Sequence, residues 1–149
     1  MEITSPAFQN NEEIPAKYTA DGENVNPELN IKDIPPETKS LVLINDDPDA
    51  AKVCGHTWDH WIVFNIPANI TQISENSMPG LGGMNSYQDV KYGGPNPPKG
   101  SGIHNYYFKI YALDIELELE ERATKQEVEA GMKDHILAQA ELIGRYTRD

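Results

Sequence analysis

The sequence predicts a mainly β protein, an antiparallel two-sheet sandwich with one or two C-terminal helices packed outside. Three observations predict it: three apolar runs of strand length, many prolines and glycines, and a helix signal confined to the C-terminal part. Gly and Pro number 11 each and cluster at 79–102, which favours turns and rigid loops over long helices. There is no strand–helix–strand alternation, so a parallel sheet is not expected. The 149 residues suit a single domain, predicted to span 1–149.

Three apolar segments are predicted to be the core strands. The first, 40–46, is rich in β-branched residues and ends at the Asp-Pro-Asp sequence 47–49, because proline cannot continue a strand ladder. The second covers 60–66 and ends at Pro67. The third, 104–114, alternates with a period of two. One of its faces is predicted to carry His104, Tyr106, Phe108, Ile110 and Ala112.

The clearest helix signal lies near the C-terminal end. Thr124 followed by Glu127 has the spacing of a capping box. An apolar stripe with a spacing of four is formed by Val128, Met132, Ile136 and Ala140. Gly131 weakens the middle of this stripe, so one bent helix or two short helices are both compatible with it. Residues 142–146 are expected to form a final strand or an extended tail.

Charge and cysteine content narrow the class of protein. The formal net charge is −12, from 12 basic and 24 acidic residues, and no basic run is present, so we expect no nucleic-acid partner. The same charge disfavours anionic membrane surfaces, and no apolar run approaches the roughly 18 residues of a membrane span. Cys54 is the only cysteine, and the N-terminus lacks the pattern of a secretory signal. These features predict a cytoplasmic protein without stable membrane insertion.

The polar residues of greatest interest stand at strand ends. Asp47 follows the first strand, His60 opens the second, and His104 and Tyr106 open the third. If the three strands are neighbours, these side chains converge beneath the Gly-Pro loop 93–102. Two imidazoles, a phenol and loop amides would form a receptor for a phosphate monoester or a carboxylate. Asp47 is expected to orient a histidine and to favour its charged form. The alternative is that these residues are structural and hydrogen-bonded within the core.

Four blocks in order carry a family resemblance. They are Asp47-Pro48-Asp49-Ala50, then Trp58-Asp59-His60-Trp61, then Tyr92-Gly93-Gly94-Pro95-Asn96-Pro97-Pro98-Lys99-Gly100, and His104-Asn105-Tyr106. With similar flanking segments, the chain resembles the phosphatidylethanolamine-binding protein (PEBP, Raf-kinase-inhibitor-like) family over almost its whole length. It looks like the shorter bacterial or archaeal type.

The resemblance implies a central antiparallel sheet, a smaller second sheet, and a pocket for small anions such as phosphate or phosphorylated headgroups. By position in the family motifs, the implied ligand-binding residues are Asp47, His60, His104, Tyr106, Gly94, Pro95, Asn96 and Trp58. Asn96 and the loop glycine and proline would form the rim, and Trp58 an apolar wall. Ala51 departs from the family pattern, which usually has a proline there.

The resemblance also leaves a protein partner open as an alternative function. Some family members inhibit serine proteases or bind kinases, and the proline-framed loop 93–100 is the one candidate for an inhibitory loop. The chain lacks the extra C-terminal helix of animal members, so kinase inhibition is not carried over. An exposed apolar patch on the sheet could support a homodimer.

Two rival chemistries are compatible with single features of the sequence, but no metal, cofactor or enzymatic activity is predicted. His56 and His60, with Cys54 nearby, have a spacing that joins metal ligands on a helix but separates them on a loop and strand. A hydrolase using His60 and His104 remains an alternative. It lacks a Gly-x-Ser-x-Gly nucleophile elbow and any serine in an obvious motif near either histidine.

Overall fold

Two β-sheets pack face to face in the computed structural model, which describes all residues 1–149. The strands are β1 (Glu2–Thr4), β2 (Glu12–Glu13), β3 (Leu29–Lys32), β4 (Ser40–Asp47), β5 (Trp58–Pro67), β6 (Gln72–Ile73), β7 (Leu81–Gly82), β8 (His104–Leu113) and β9 (Ile136–Tyr146). The helices are α1 (Ala51–Cys54) and α2 (Lys125–Met132). The larger sheet has the order β2-β9-β8-β4-β5-β7, and the smaller sheet has the order β1-β3-β6.

The central strand β4 divides the interior into two apolar cores. All eight of its residues are buried, because β5 and β8 flank it on either side and both of its faces are covered. Leu41 and Leu43 join the core between the two sheets, whereas Val42 and Ile44 pack on the opposite face beneath α2. Consecutive residues of a strand point to opposite faces, so Asp46 and Asp47 also diverge.

The predicted fold class is confirmed. The alternation predicted for β8 is observed, since even-numbered residues from His104 to Ala112 are buried and the odd-numbered ones between them are half-exposed. Neighbouring strands are antiparallel, with one exception: the two-residue strand β2 runs parallel to β9.

The helix prediction was right at its start and wrong at its end. Thr124 and Glu127 form a capping box at the start of α2, but the helix ends at Met132. Asp134 then adopts a positive φ of 67°, and the chain enters β9. Ile136 and Ala140 therefore lie on a strand, and one helix, not two, follows β8. A spacing of four is even, so it also places residues on one face of a strand, which is why the pattern misled.

No helix of the structure combines the length and the apolar character that crossing a bilayer requires.

Candidate functional site

A cavity of about 230 Å³ opens where β4 ends and where β5 and β8 begin. Its polar lining consists of Asp47, His60, Tyr87, Asn96, His104 and Tyr106. The rest of the wall is formed by Ala50, Val53, Cys54, Trp58, Pro97 and Pro98. Six of the eight residues expected at the ligand site thus line one cavity; Gly94 and Pro95 do not.

Strand topology explains the convergence of the polar groups. β5 and β8 both run antiparallel to β4, so the end of β4 lies beside the starts of its two neighbours. Asp47 is paired with Trp58 of β5, and Asp46 is paired with Tyr107 of β8. The Asp47, His60 and Tyr106 side chains consequently meet in the layer between the sheets, at its open end.

Asp47 and His104 form a buried pair. Asp47 Oδ2 lies 2.7 Å from His104 Nδ1, and the two side chains are only 4% and 3% exposed. Asp47 Oδ1 also accepts a hydrogen bond from the Ala50 amide at 3.2 Å. Burial raises the pKa of the Asp47 carboxyl, although the hydrogen bond and the charge of His104 act in the opposite direction. Asp47 therefore orients a histidine, as its position suggested.

His60 differs from His104 in its hydrogen-bond partner. Its Nδ1 lies 2.6 Å from the carbonyl oxygen of Gly93, and its side chain is almost wholly buried. Burial lowers the pKa of His60 to about 4, because desolvation disfavours the charged ring. At neutral pH His60 therefore supplies no positive charge to the cavity, because no carboxylate touches the ring to offset its burial.

Aromatic rings fix the position of His60 within the cavity wall. The Tyr106 ring meets His60 edge-to-face with centroids 5.2 Å apart, and Tyr87 meets it similarly at 5.7 Å. Burial raises the pKa of Tyr106, so its hydroxyl keeps its proton at neutral pH. Trp58 packs edge-on against Tyr87 at 5.3 Å. Trp58 thus forms part of an aromatic wall at the position where the resemblance implied an apolar one.

Of the three expected rim residues, only Asn96 lines the cavity. The Gly94 amide donates to Asn24 Oδ1 at 2.8 Å, and the Pro95 carbonyl accepts from the Ala20 amide at 2.9 Å. A Cβ atom at Gly94 would lie 2.3 Å from the carbonyl oxygen of Tyr18, so only glycine fits there. Gly94 and Pro95 therefore hold the loop in place through contacts outside the cavity.

Two lining or adjacent residues were not identified from the sequence. Tyr87 lies in the Gly- and Pro-rich segment 79–102 and belongs to none of the quoted motifs, yet its hydroxyl donates to the Gly94 carbonyl at 2.9 Å. Ser101 Oγ lies 2.9 Å from His104 Nε2 and 2.7 Å from the Pro98 carbonyl oxygen. The only available signal for Ser101 was its place three residues before His104.

The C-terminal tail ties down the loop that forms the cavity wall. Arg148 Nη1 donates to the Pro97 carbonyl at 3.0 Å, and the Gly100 amide donates to the Arg148 carbonyl at 3.1 Å. The Arg148 guanidinium is itself held by Asp21, with Nη2 at 2.8 Å from Oδ1. We call these contacts of Arg148 with Pro97, Gly100 and Asp21 the latch; no sequence motif predicts it, because its members are distant along the chain.

His56 and His60 have different surroundings. The exposed ring of His56 stacks on Trp58 with centroids 5.6 Å apart, and its Nδ1 lies 2.8 Å from the Thr57 carbonyl oxygen. The structure contains no group of three or more His, Cys, Asp or Glu side chains placed to hold a metal ion.

Comparison with known proteins identifies the family. Residues 4–147 match the family model described as phosphatidylethanolamine-binding protein. A relative from Aquifex aeolicus, called a UPF0098 protein, is 44% identical over 156 aligned positions, which cover 100% of this chain and 90% of the relative. The chain belongs to the phosphatidylethanolamine-binding protein family, which confirms the resemblance.

Two solved structures agree with this assignment. The PEBP homologue CT736 from Chlamydia trachomatis superposes with a TM-score of 0.92 at 39% identity, covering 99% of this chain and 97% of that one. YbcL from Escherichia coli, described as a member of the mammalian PEBP family, gives a TM-score of 0.91 at 28% identity, covering 99% and 98%.

Proposed function

We propose that the cavity binds a small phosphorylated anion, such as phosphate or a phosphorylated headgroup, and does so without catalysis. The observation that carries this proposal is the convergence of Asp47, His60, His104 and Tyr106 on one cavity between the sheets. The Tyr106 hydroxyl has no protein partner and, as the protonated phenol, offers a hydrogen to a ligand oxygen. Asn96 adds amide hydrogens at the rim.

The size and the walls of the cavity favour a small ligand. Its volume of about 230 Å³ is below the roughly 300 Å³ at which sites for drug-sized ligands begin. Trp58, Val53 and Pro97 give one side of it an apolar surface, which suits the short carbon portion of a phosphate monoester. With a net charge of −12, the protein as a whole repels anions, so recognition depends on these local groups.

Calorimetric titration with inorganic phosphate and phosphoethanolamine tests the proposal. Tyr106→Phe should weaken binding by about tenfold, since a hydrogen bond to a charged group contributes roughly 1.5 kcal/mol or more. Tyr92→Phe is the matched control, because the Tyr92 hydroxyl donates to the Tyr18 carbonyl at 2.7 Å and does not line the cavity. Absence of binding to wild type, or equal affinities for wild type and Tyr106→Phe, would contradict the proposal.

Hydrolysis is a second candidate function, favoured by one observation. Ser101, His104 and Asp47 form a hydrogen-bonded chain in the order that serine hydrolases use. However, a serine hydroxyl has one hydrogen, and Ser101 Oγ lies closer to the Pro98 carbonyl than to His104. If that hydrogen is donated to Pro98, His104 Nε2 must carry its own hydrogen and cannot act as the base. Covalent labelling of Ser101 by a fluorophosphonate probe, lost in His104→Ala, would favour hydrolysis.

Inhibition of a protease or a kinase is supported less well. Within the loop 93–100, Asn96, Pro97 and Pro98 line the cavity, so this part of the loop faces inward. An inhibitory loop must project into the cleft of its target. If wild type and His104→Ala both inhibit a protease at nanomolar concentration, the cavity is not needed for the function.

A further inference from the structure

His60 presents a hydrogen-bond acceptor, not a donor, to the cavity. Its Nδ1 lies 2.6 Å from the Gly93 carbonyl oxygen, and a carbonyl can only accept, so Nδ1 carries the hydrogen. Nε2 has no partner in the protein, and the ring lines the cavity, so Nε2 is the nitrogen that a ligand meets. In a neutral imidazole with a hydrogen on Nδ1, Nε2 carries a lone pair and can only accept a hydrogen bond.

The surroundings of His60 keep the ring neutral. Tyr87 and Tyr106 cover it from two sides with their ring edges or faces, and both are uncharged at neutral pH. Asp46 acts on the ring only at a distance and favours its charge, while His104 opposes it. Burial outweighs both and holds the pKa of His60 at about 4.

Asp47 supplies a second acceptor at the cavity. A carboxylate has about four lone-pair positions, and the protein uses one from His104 at 2.7 Å and one from the Ala50 amide at 3.2 Å. The remaining lone-pair positions of Asp47 are available to a ligand, because Asp47 lines the cavity. The cavity therefore combines acceptors, on Asp47 and His60, with donors on Tyr106 and Asn96.

We propose that the cavity selects anions that retain a proton of their own, namely singly ionised phosphate monoesters and hydrogen phosphates, and rejects fully deprotonated anions of the same shape. A P–OH group donates to His60 Nε2, while the other phosphate oxygens accept from Tyr106 and Asn96. An anion without a hydrogen can only accept hydrogen bonds, so its oxygens would face the acceptors on His60 and Asp47. Buried contacts between two acceptors leave both without a hydrogen bond and are strongly unfavourable. This inference rests on the proposed anion-binding function and specifies the ligand for it.

Methyl phosphate and methyl sulfate provide a ligand pair matched in size and shape. At pH 5.5 methyl phosphate is mostly a monoanion that keeps one hydrogen, because the second pKa of a phosphate monoester is about 6. Methyl sulfate is also a monoanion but has no hydrogen on oxygen. We expect calorimetric titration of the wild-type protein to give at least about tenfold tighter binding of methyl phosphate, the effect of about one hydrogen bond.

The outcomes separate this inference from the function on which it rests. Equal affinities for the two ligands, or tighter binding of methyl sulfate, would overturn proton selection and leave anion binding intact. If neither ligand binds, the proposed function fails and the selection fails with it.

A variant supplies a second, independent measurement. His60→Gln places an amide at this position, and its NH₂ group can donate where Nε2 only accepted. We expect the preference for methyl phosphate over methyl sulfate to fall to within about threefold, mainly through a gain in methyl sulfate binding. An unchanged preference in a folded His60→Gln protein would overturn the role of His60. If that variant does not fold, the wild-type ligand comparison decides alone.

Discussion

At the scale of single residues, His60 shows how burial sets chemistry. The same imidazole on the surface would titrate near neutral pH. Here it donates from Nδ1 to Gly93 and stays neutral, because burial against aromatic rings removes most of its hydration. Its partner histidine in the cavity, His104, contacts a carboxylate instead. Both ring nitrogens of His104 have protein partners, Asp47 and Ser101, whereas His60 leaves Nε2 free for a ligand.

The lowered pKa of His60 predicts a loss of stability in acid. The unfolded state takes up a proton near pH 6.5, and the folded state only near its pKa of about 4, so more protons bind to the unfolded state between these values. Stability from this group is therefore complete above pH 6.5 and is lost as the pH falls towards 4. The loss should be about 3 kcal/mol, measured as the free energy of urea unfolding at each pH.

Variants isolate this contribution from other titrating groups. His60→Asn keeps a donor near the Gly93 carbonyl but cannot titrate, so its stability should fall less between pH 6.5 and 4 than that of the wild type. His135→Asn is the control, because His135 is partly exposed, its ring hydrogen-bonds only to Asp114, and neither residue lines the cavity. Equal losses in wild type and His60→Asn would show that burial of His60 does not control its titration.

The sequence was sufficient to predict that four of the polar residues meet, but not that Tyr87 joins them or how they are protonated. Asp47, His60, His104 and Tyr106 stand at strand ends, and strand adjacency alone brings them together. The neutral state of His60 depends on Gly93 and Tyr87, which come from loops whose paths no periodicity describes. Ser101 was missed for the same reason.

At the scale of secondary-structure elements, β8 and β9 differ in how clearly their sequence patterns predict a strand. β8 has a clear alternation of buried and half-exposed side chains. β9 is the neighbour of β8 over ten residue pairs, yet its inner face carries small residues at Ala138, Ala140 and Gly144. A Cβ atom at Gly144 would lie 2.4 Å from Ile14 Cγ1. Leu142 and Tyr146 on the same face are large and buried, but the three small residues make the alternation of β9 weak.

The latch between the C-terminal tail and the cavity loop makes a prediction at this scale. Arg148→Ala removes the bond to the Pro97 carbonyl and the pairing with Asp21. We expect amide hydrogen exchange in 97–103 to become faster and phosphate binding to weaken, because the cavity wall is less ordered before it binds.

Arg145→Ala is the control for the latch, because Arg145 is exposed on β9 and its side chain forms no hydrogen bond to the loop. The latch would be refuted if both variants left exchange in 97–103 at the wild-type rate, or if both increased it equally.

At the scale of the whole molecule, a strongly acidic protein surrounds a site proposed for anions. Net charge of −12 opposes compaction through self-repulsion. Raising NaCl from about 10 mM to 150 mM shortens the screening length from about 30 Å to 8 Å. We expect Tm to rise over this range, measured by calorimetry without phosphate. A falling Tm would mean that attractive ion pairs dominate the surface charge.

The proposed function requires that phosphate or a phosphate monoester enter the cavity lined by His60 and His104. The protein has four histidines, so ¹⁵N NMR of the imidazole rings resolves the site from the remainder of the molecule, with His135 as the remote reference. On addition of inorganic phosphate, we predict that the His60 and His104 signals shift together and saturate, while those of His135 stay fixed. Unmoved signals of His60 and His104 at saturating phosphate would contradict the account.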